Sequence, residues 1–177
     1  MGLLAREGVA GFTARCVARE ADTSTPAVYE LFGDKGGLLR AVYFDGFRQL
    51  RDRLDNLEES DDPAADLFQF VETYRSFVRE NRVLSEVMFS RPFTDFDPVP
   101  SELEASGSVR EFIVELVRRC IAAGVLGNDE TDVAHVLVAL VQGLAAAEGA
   151  RRLGTTSESI DRRWVLGVHA LVEGLSP

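Results

Sequence analysis

The chain is predicted to be all-α. Apolar residues recur at spacings of three and four from one end to the other, Gly, Pro, Asp and Asn punctuate that recurrence, and no credible strand interrupts it. Its 177 residues suit one helical body with a small appended module. Hydrophobic residues make up 46% and charged residues 27% of the chain, which is ordinary globular usage with enough apolar material for a core.

The spacing predicts helices at 2–7 (a stub), 14–20, 25–31, 35–57, 64–79, 82–89, 102–123, 130–152 and 158–174. Thr13 can cap the second of these, whose inward residues would be Val17, Ala18 and Ala21. Ser24 can cap the third, where Pro26 fits the permissive first turn and Val28 and Phe32 would face the core. A polar exit from Asn56 to Asp62 ends the long fourth helix, and Pro63 suits the first turn of the next. The stretch Arg91–Pro100 holds three prolines, all within the nine positions from Pro92, and is expected to be a loop. Gly127-Asn128-Asp129 reads as a helix stop followed by a cap.

Composition also excludes. A net charge of −10 argues against a protein that coats nucleic acid indiscriminately, because such binding comes from Lys and Arg neutralising phosphates. The expectation is that no apolar run reaches the roughly 18 to 20 residues of a bilayer span, since charge cuts each stretch. Met1–Gly8 lacks a secretory apolar core, so no membrane partner is expected and the cytoplasm is the expected location. Cys16 and Cys120 are in neither a metal nor a redox spacing, and His135 and His169 stand alone on helices. There is no HExxH, no Cys–His constellation, and Gly36-Gly37 lacks the surroundings of a phosphate loop. Neither catalysis nor a cofactor nor a metal is expected.

Residues 12–44 carry the functional signal. Two short helices meet at a turn, and helices this short persist only when packed against neighbours, which leaves their other face free. That is the design of a helix-turn-helix, in which the first residues of the second helix approach base edges while helix ends grip phosphates. The exposed candidates are Thr25, Pro26, Ala27 and Tyr29 beside the Ser24 hydroxyl, with Arg15 on the preceding helix. Thr and Ser can hydrogen-bond bases or phosphates, whereas Pro and Ala offer only apolar contact. Lys35, opening the following helix, is the expected phosphate clamp.

These residues resemble the tetracycline-repressor regulators. The likeness rests on Thr13, Val17-Ala18, Ala21, Ser24, Tyr29 and Phe32 three apart, and Lys35-x-x-Leu38-Leu39 after a two-residue turn. It implies a DNA-binding transcriptional regulator, a repressor, in which Thr13, Tyr29 and Lys35 hold phosphates and the start of the 25–31 helix reads sequence. Further on, Met88-Phe89-Ser90-Arg91-Pro92, Leu140-Val141-Gln142-Gly143-Leu144 and Trp164 are similar to a regulatory domain found among these proteins. The chain departs from the pattern in four places. Asp22 replaces a turn Gly, Glu30 stands where a basic or polar residue is commoner, Gly36-Gly37 replace helix formers, and Gln142 replaces a His. The first helix is also expected to be truncated, and residues 1–46 hold five basic groups against six acidic ones.

The expected organisation is thus a three-helix DNA-binding module at 1–46 and a helical-bundle ligand-binding and dimerisation domain at 47–177. Aromatics concentrated in mid-chain suggest a pocket for an unidentified small-molecule effector, with Phe70, Tyr74, Phe77, Met88, Phe112 and Gln142 as candidates and Arg75 and Glu148 as further polar contributors. Val136, Leu140, Gly143 and Ala147 share a face of one helix, and Trp164, Val168 and Leu171 a face of the last. Two such helices from each subunit would form the four-helix interface of a homodimer, whose two-fold axis matches a palindromic double-stranded operator. The alternative is a helical ligand-binding dimer with weak or lost DNA binding.

Overall fold

The computed structural model describes residues 11–89 and 100–177, and among them every regular element is helical. Eight helices follow in order: α1 (Ala14–Glu20), α2 (Thr25–Phe32), α3 (Lys35–Asp55), α4 (Pro63–Glu80), α5 (Arg82–Phe89), α6 (Pro100–Ala122), α7 (Glu130–Gly149) and α8 (Ser157–Gly174). The stub expected at 2–7 and most of the expected loop at 91–100 lie outside the described residues. Pro100 itself opens α6 rather than ending the loop, because a proline in the first turn sacrifices only an amide that has no helical partner.

The caps follow local chemistry. Thr13 Oγ1 accepts from the Cys16 amide at 3.3 Å, Ser24 Oγ from Ala27 at 3.2 Å, and Asp129 Oδ1 from Thr131 and Asp132 at 2.9 and 3.1 Å. Each satisfies amides that the first helical turn leaves orphaned. α8 adds a reciprocal box between Thr156 and Ser159.

By compactness the chain forms two units, one of residues 11–49, 80–89 and 100–106, the other of residues 50–79 and 107–177. In the first, α1 and α2 pack together, with Phe12, Ala14, Ala18 and Val28 buried. Ala21, expected to face inward, is exposed: it is the C-cap of α1, its amide bonding to the Val17 carbonyl at 2.9 Å, so its side chain leaves the helical stripe. Asp22 follows with φ 49°, the left-handed region where an L side chain is strained and glycine is not. Asp22→Gly is therefore expected to stabilise the unit by up to about 1 kcal/mol, read as a higher midpoint of thermal unfolding of the full chain.

α5 packs on α3 in the same unit. A Cβ at Gly46 would stand 2.5 Å from Met88 Sδ and 3.0 Å from Leu84 Cδ1, so any side chain there would force Met88 to shift. The Phe47 ring meets Phe89 edge-on at 5.9 Å.

The second unit is built around Leu54, Leu67, Phe70, Phe77, Val117, Leu126, Leu137, Val141 and Val168, each 1% exposed or less. Burial of such side chains contributes about 1.5–3 kcal/mol apiece before conformational entropy is counted. Cys120 is buried with them, its thiol donating to the Pro63 carbonyl at 3.2 Å and pushed up by burial to a pKa of about 11. α7 corrects a sequence expectation: from Val133 to Ala147 it runs without a charge, and by length and composition Glu130–Gly149 could cross a membrane, an 18-residue stretch of it having mean hydropathy 1.3. Its apolar breadth has a core explanation on one side, where Val133, Ala134, Leu137, Val141 and Ala145 are buried.

Two buried ionic clusters hold this unit. Arg75 forks onto Glu148, Nε to Oε2 at 2.9 Å and Nη2 to Oε1 at 3.1 Å, and reaches Asp161 at 2.7 Å, while its guanidinium lies 5.2 Å from the Trp164 ring centroid. Trp164 Nε1 donates to the same Glu148 at 2.6 Å. Burial would raise the Glu148 carboxyl, but the hydrogen bonds from Arg75 and Trp164 and the charges of Arg75 and Arg79 hold it below the usual carboxylate range. Asp66, also buried, accepts from the Ser60 hydroxyl at 2.6 Å and from Arg119 at 2.7 Å; these outweigh burial, and its carboxyl too lies low.

Candidate nucleic-acid interface

α2 is eight residues long and presents a free face. Val28 is 2% exposed and fixes its inward side; Ser24, Pro26, Tyr29 and Glu30 are exposed, and Thr25 and Ala27 half-buried. Ser24, Pro26, Tyr29 and Glu30 are therefore presented outward, as a groove-reading helix requires. Tyr29 is 48% exposed despite its size, and Leu31, not anticipated as a surface residue, is 77% exposed. Phe32, expected inside, is only partly covered.

The turn into α3 is set by two residues. Gly33 ends α2 with φ 75°, its amide bonding back to Tyr29 at 2.8 Å, and Asp34 Oδ1 then accepts from the Gly37 amide at 2.8 Å. This places Lys35, exposed, in the first turn of α3. The Gly36-Gly37 pair, which reads from sequence only as a propensity cost, has a reason at Gly37: a Cβ there would be driven into the Phe32 carbonyl. On α1, Arg15 is exposed and Thr13 half-buried at the cap. Thr13, Arg15, Ser24, Thr25, Pro26, Ala27, Tyr29 and Lys35 thus all belong to the one unit that contains α1, α2 and the start of α3.

The candidate effector residues divide. Phe70 stands 6.3 Å from Tyr74 and 6.5 Å from Phe112, centroid to centroid, so three of the six form one aromatic cluster in the second unit. Burial pushes the Tyr74 phenol well up. Phe77 is fully buried, with Arg53 5.3 Å over its ring. Gln142 is half-buried on α7. Met88 is in the other unit, against Gly46, because α5 folds onto α3. A cavity of about 180 Å³ opens in the second unit, its apolar lining Leu54, Leu57, Phe112 and Leu116 outnumbered by polar and charged residues, among them Arg51, Asp55, Asp66, Glu115 and Arg119. Arg51 stacks 5.4 Å over Phe112, and both arginines are paired, with Asp55 and Asp66. Arg75 and Glu148 neutralise each other in the core and do not line that cavity.

Of the candidate interface residues, Trp164 (3% exposed) and Val168 (1%) are buried within the chain itself. A side chain already covered by its own fold has no area left for a partner, so these two belong to the intrachain core. Val136 and Gly143 are exposed on α7, and Leu140, Ala147 and Leu171 partly so. The outer side of α8 instead shows Val165 and Leu166, 52% and 68% exposed. α7 and α8 pack closely where a Cβ at Gly167 would sit 3.3 Å from Leu144 Cδ1.

An N-terminal helix-turn-helix followed by a helical body defines a DNA-binding regulator of transcription. The chain belongs to the tetracycline-repressor family: residues 1–42 match the model of bacterial regulatory proteins of the tetR family, and residues 67–171 that of the tetracyclin repressor-like C-terminal domain. Its fold is similar to that of a protein of unknown function from Rhodococcus sp. RHA1, at 26% identity over 99% of this chain and 91% of that one, with a TM-score of 0.85. It is also similar to the TetR family transcriptional regulator PfmR from Thermus thermophilus (17% identity, 99% and 96% covered, TM-score 0.73). A glutamine-to-alanine variant of TetR from Acinetobacter baumannii, solved in complex with minocycline, is a third (18%, 98% and 89%, 0.67). No curated protein sequence matches the chain.

Proposed function

We propose that this regulator is a cytoplasmic repressor that binds a palindromic operator as a homodimer and leaves it when a small, mostly apolar effector binds. The observation that carries the reading is the outward face of α2, where Ser24, Pro26 and Tyr29 are exposed around a buried Val28 and Ser24 fixes the helix start. The functional division is drawn near residue 46, with α1, α2 and the start of α3 as DNA module. Thr13, Tyr29 and Lys35 hold phosphates, with Arg15 beside them, and the start of α2, Thr25, Pro26 and Ala27 beside the Ser24 hydroxyl, meets the groove. The apolar character of the effector is supported by the Phe70–Tyr74–Phe112 cluster in the second unit. A structural relative holding minocycline supports a small-molecule site in the same kind of body. The subunit contact uses the exposed surface of α7 and α8, including Val136, Leu140 and Gly143 together with Val165 and Leu166.

Release requires that the effector prefer the DNA-incompetent arrangement, since occupancy without differential affinity shifts nothing. α3 is the element to transmit it, because its first part belongs to the DNA unit and its last part to the other. The test is selection of bound duplexes from a random pool, followed by anisotropy titration of the winning sequence. Lys35→Ala is expected to weaken binding by a similar factor on all sequences and to lower the slope of log affinity against log salt by about 1 per lost phosphate contact. Failure to select any duplex, or a Lys35→Ala slope identical to the parent's, counts against the reading.

A further inference from the structure

The outward face of α2 carries an acid. At about 3.6 residues per turn, Pro26 and Glu30 share a stripe roughly opposite the buried Val28, and both are exposed. Ala27 and Tyr29 flank that stripe, so Glu30 stands at the middle of the surface that a groove-reading helix turns toward bases. Phosphates repel a carboxylate wherever they are close. Where a complex strips water from Glu30, the side chain needs a hydrogen-bond donor, since an ionised carboxylate can only accept.

Among base edges in the major groove, guanine offers the N7 and O6 acceptors and thymine the O4 acceptor, all of which repel Glu30. Adenine offers an N6 amino group, but its N7 lone pair lies beside it. Cytosine presents the N4 amino donor with no acceptor of its own on that edge. We propose that Glu30 is a specificity-determining residue that accepts a hydrogen bond from the N4 amino group of one cytosine in each operator half-site. The inference rests on the reading that α2 occupies a major groove. It also gives a reason for an acid on the outward face of α2.

The full-length protein and its Glu30→Gln and Glu30→Ala variants are to be taken through the same random-pool selection. The parent is expected to fix cytosine at one position of each half-site. Glu30→Gln is expected to move that position toward adenine, whose N6 and N7 suit an amide, and to lose about tenfold on the parent's sequence. Glu30→Ala is expected to lose the preference there while the other positions keep theirs. Folding is not at stake, because the side chain is exposed. If either variant instead tightens on every sequence by one common factor with base preferences unchanged, Glu30 is a repulsive surface charge and the inference fails. If the parent selects no sequence at all, the operator-binding reading falls, and this inference with it.

Discussion

Arg75→Met is expected to destabilise the chain by about 3 kcal/mol, near the lower end of what losing one partner of a buried ion pair costs. The Arg75 side chain is 7% exposed and that of Glu148 15%, so removing the guanidinium strands a carboxylate that water reaches poorly. The lower end applies because Glu148 keeps the Trp164 indole at 2.6 Å and Arg79 at 3.8 Å. The large term is the uncompensated charge, not the worth of the pair. The double variant Arg75→Met, Glu148→Leu is accordingly expected to recover most of the loss. Urea unfolding of parent, single and double variants measures this; a single variant with an unchanged midpoint would show that the cluster contributes nothing.

Acid gives the same cluster a second signature. The Glu148 carboxyl lies below its ordinary range in the folded chain, so its contribution is complete above the unfolded-state pKa of a glutamate and disappears as pH falls through the lower folded value. Asp66 is depressed as well and behaves likewise. The parent should therefore lose stability steadily below about pH 4. In Arg75→Met the strongest lowering influence on Glu148 is gone while Asp66 is untouched, so the acid slope should flatten by the share that belongs to Glu148. Curves that stay parallel across that range would contradict the assignment.

What was legible in the sequence was what neighbours along the chain decide. Thr13, Ser24 and Asp129 cap helices through amides two or three residues away, and a pattern around Val28 suffices to say which side of α2 is free. What was not legible depends on partners far along the chain. Trp164 and Val168 share a stripe with Leu171, yet only the fold shows that the first two are covered from within, Trp164 by Arg75 and Glu148. Nothing near Asp66 in the chain announces its partner Arg119, 53 residues later. Phe70 on α4 and Phe112 on α6 converge across a long stretch of chain, whereas Met88, much nearer to Phe70 in sequence, belongs to the other unit. A periodicity assigns a residue to a stripe; it does not name the surface that the stripe meets.

Gly37→Ala is expected to cost at least about 3 kcal/mol, the upper part of the range for forced overpacking, and to remove operator binding while the second unit stays folded. The obstacle is backbone: the new Cβ would enter the Phe32 carbonyl, which ends α2 and cannot swing aside as a side chain would. Relief requires moving α3 away from the end of α2, and Lys35 moves with it. Gly36→Ala is the matched control. Its Cβ would meet Asp34 Oδ1 at 3.1 Å, a side-chain atom that can shift at the expense of its bond to the Gly37 amide, while alanine restores up to about 1 kcal/mol of helix propensity. Amide exchange should thus show α1, α2 and the start of α3 deprotected in Gly37→Ala only, with α7 and α8 protected in both. Equal behaviour of the two variants would mean that helix propensity, and not the approach of two backbones, governs this junction.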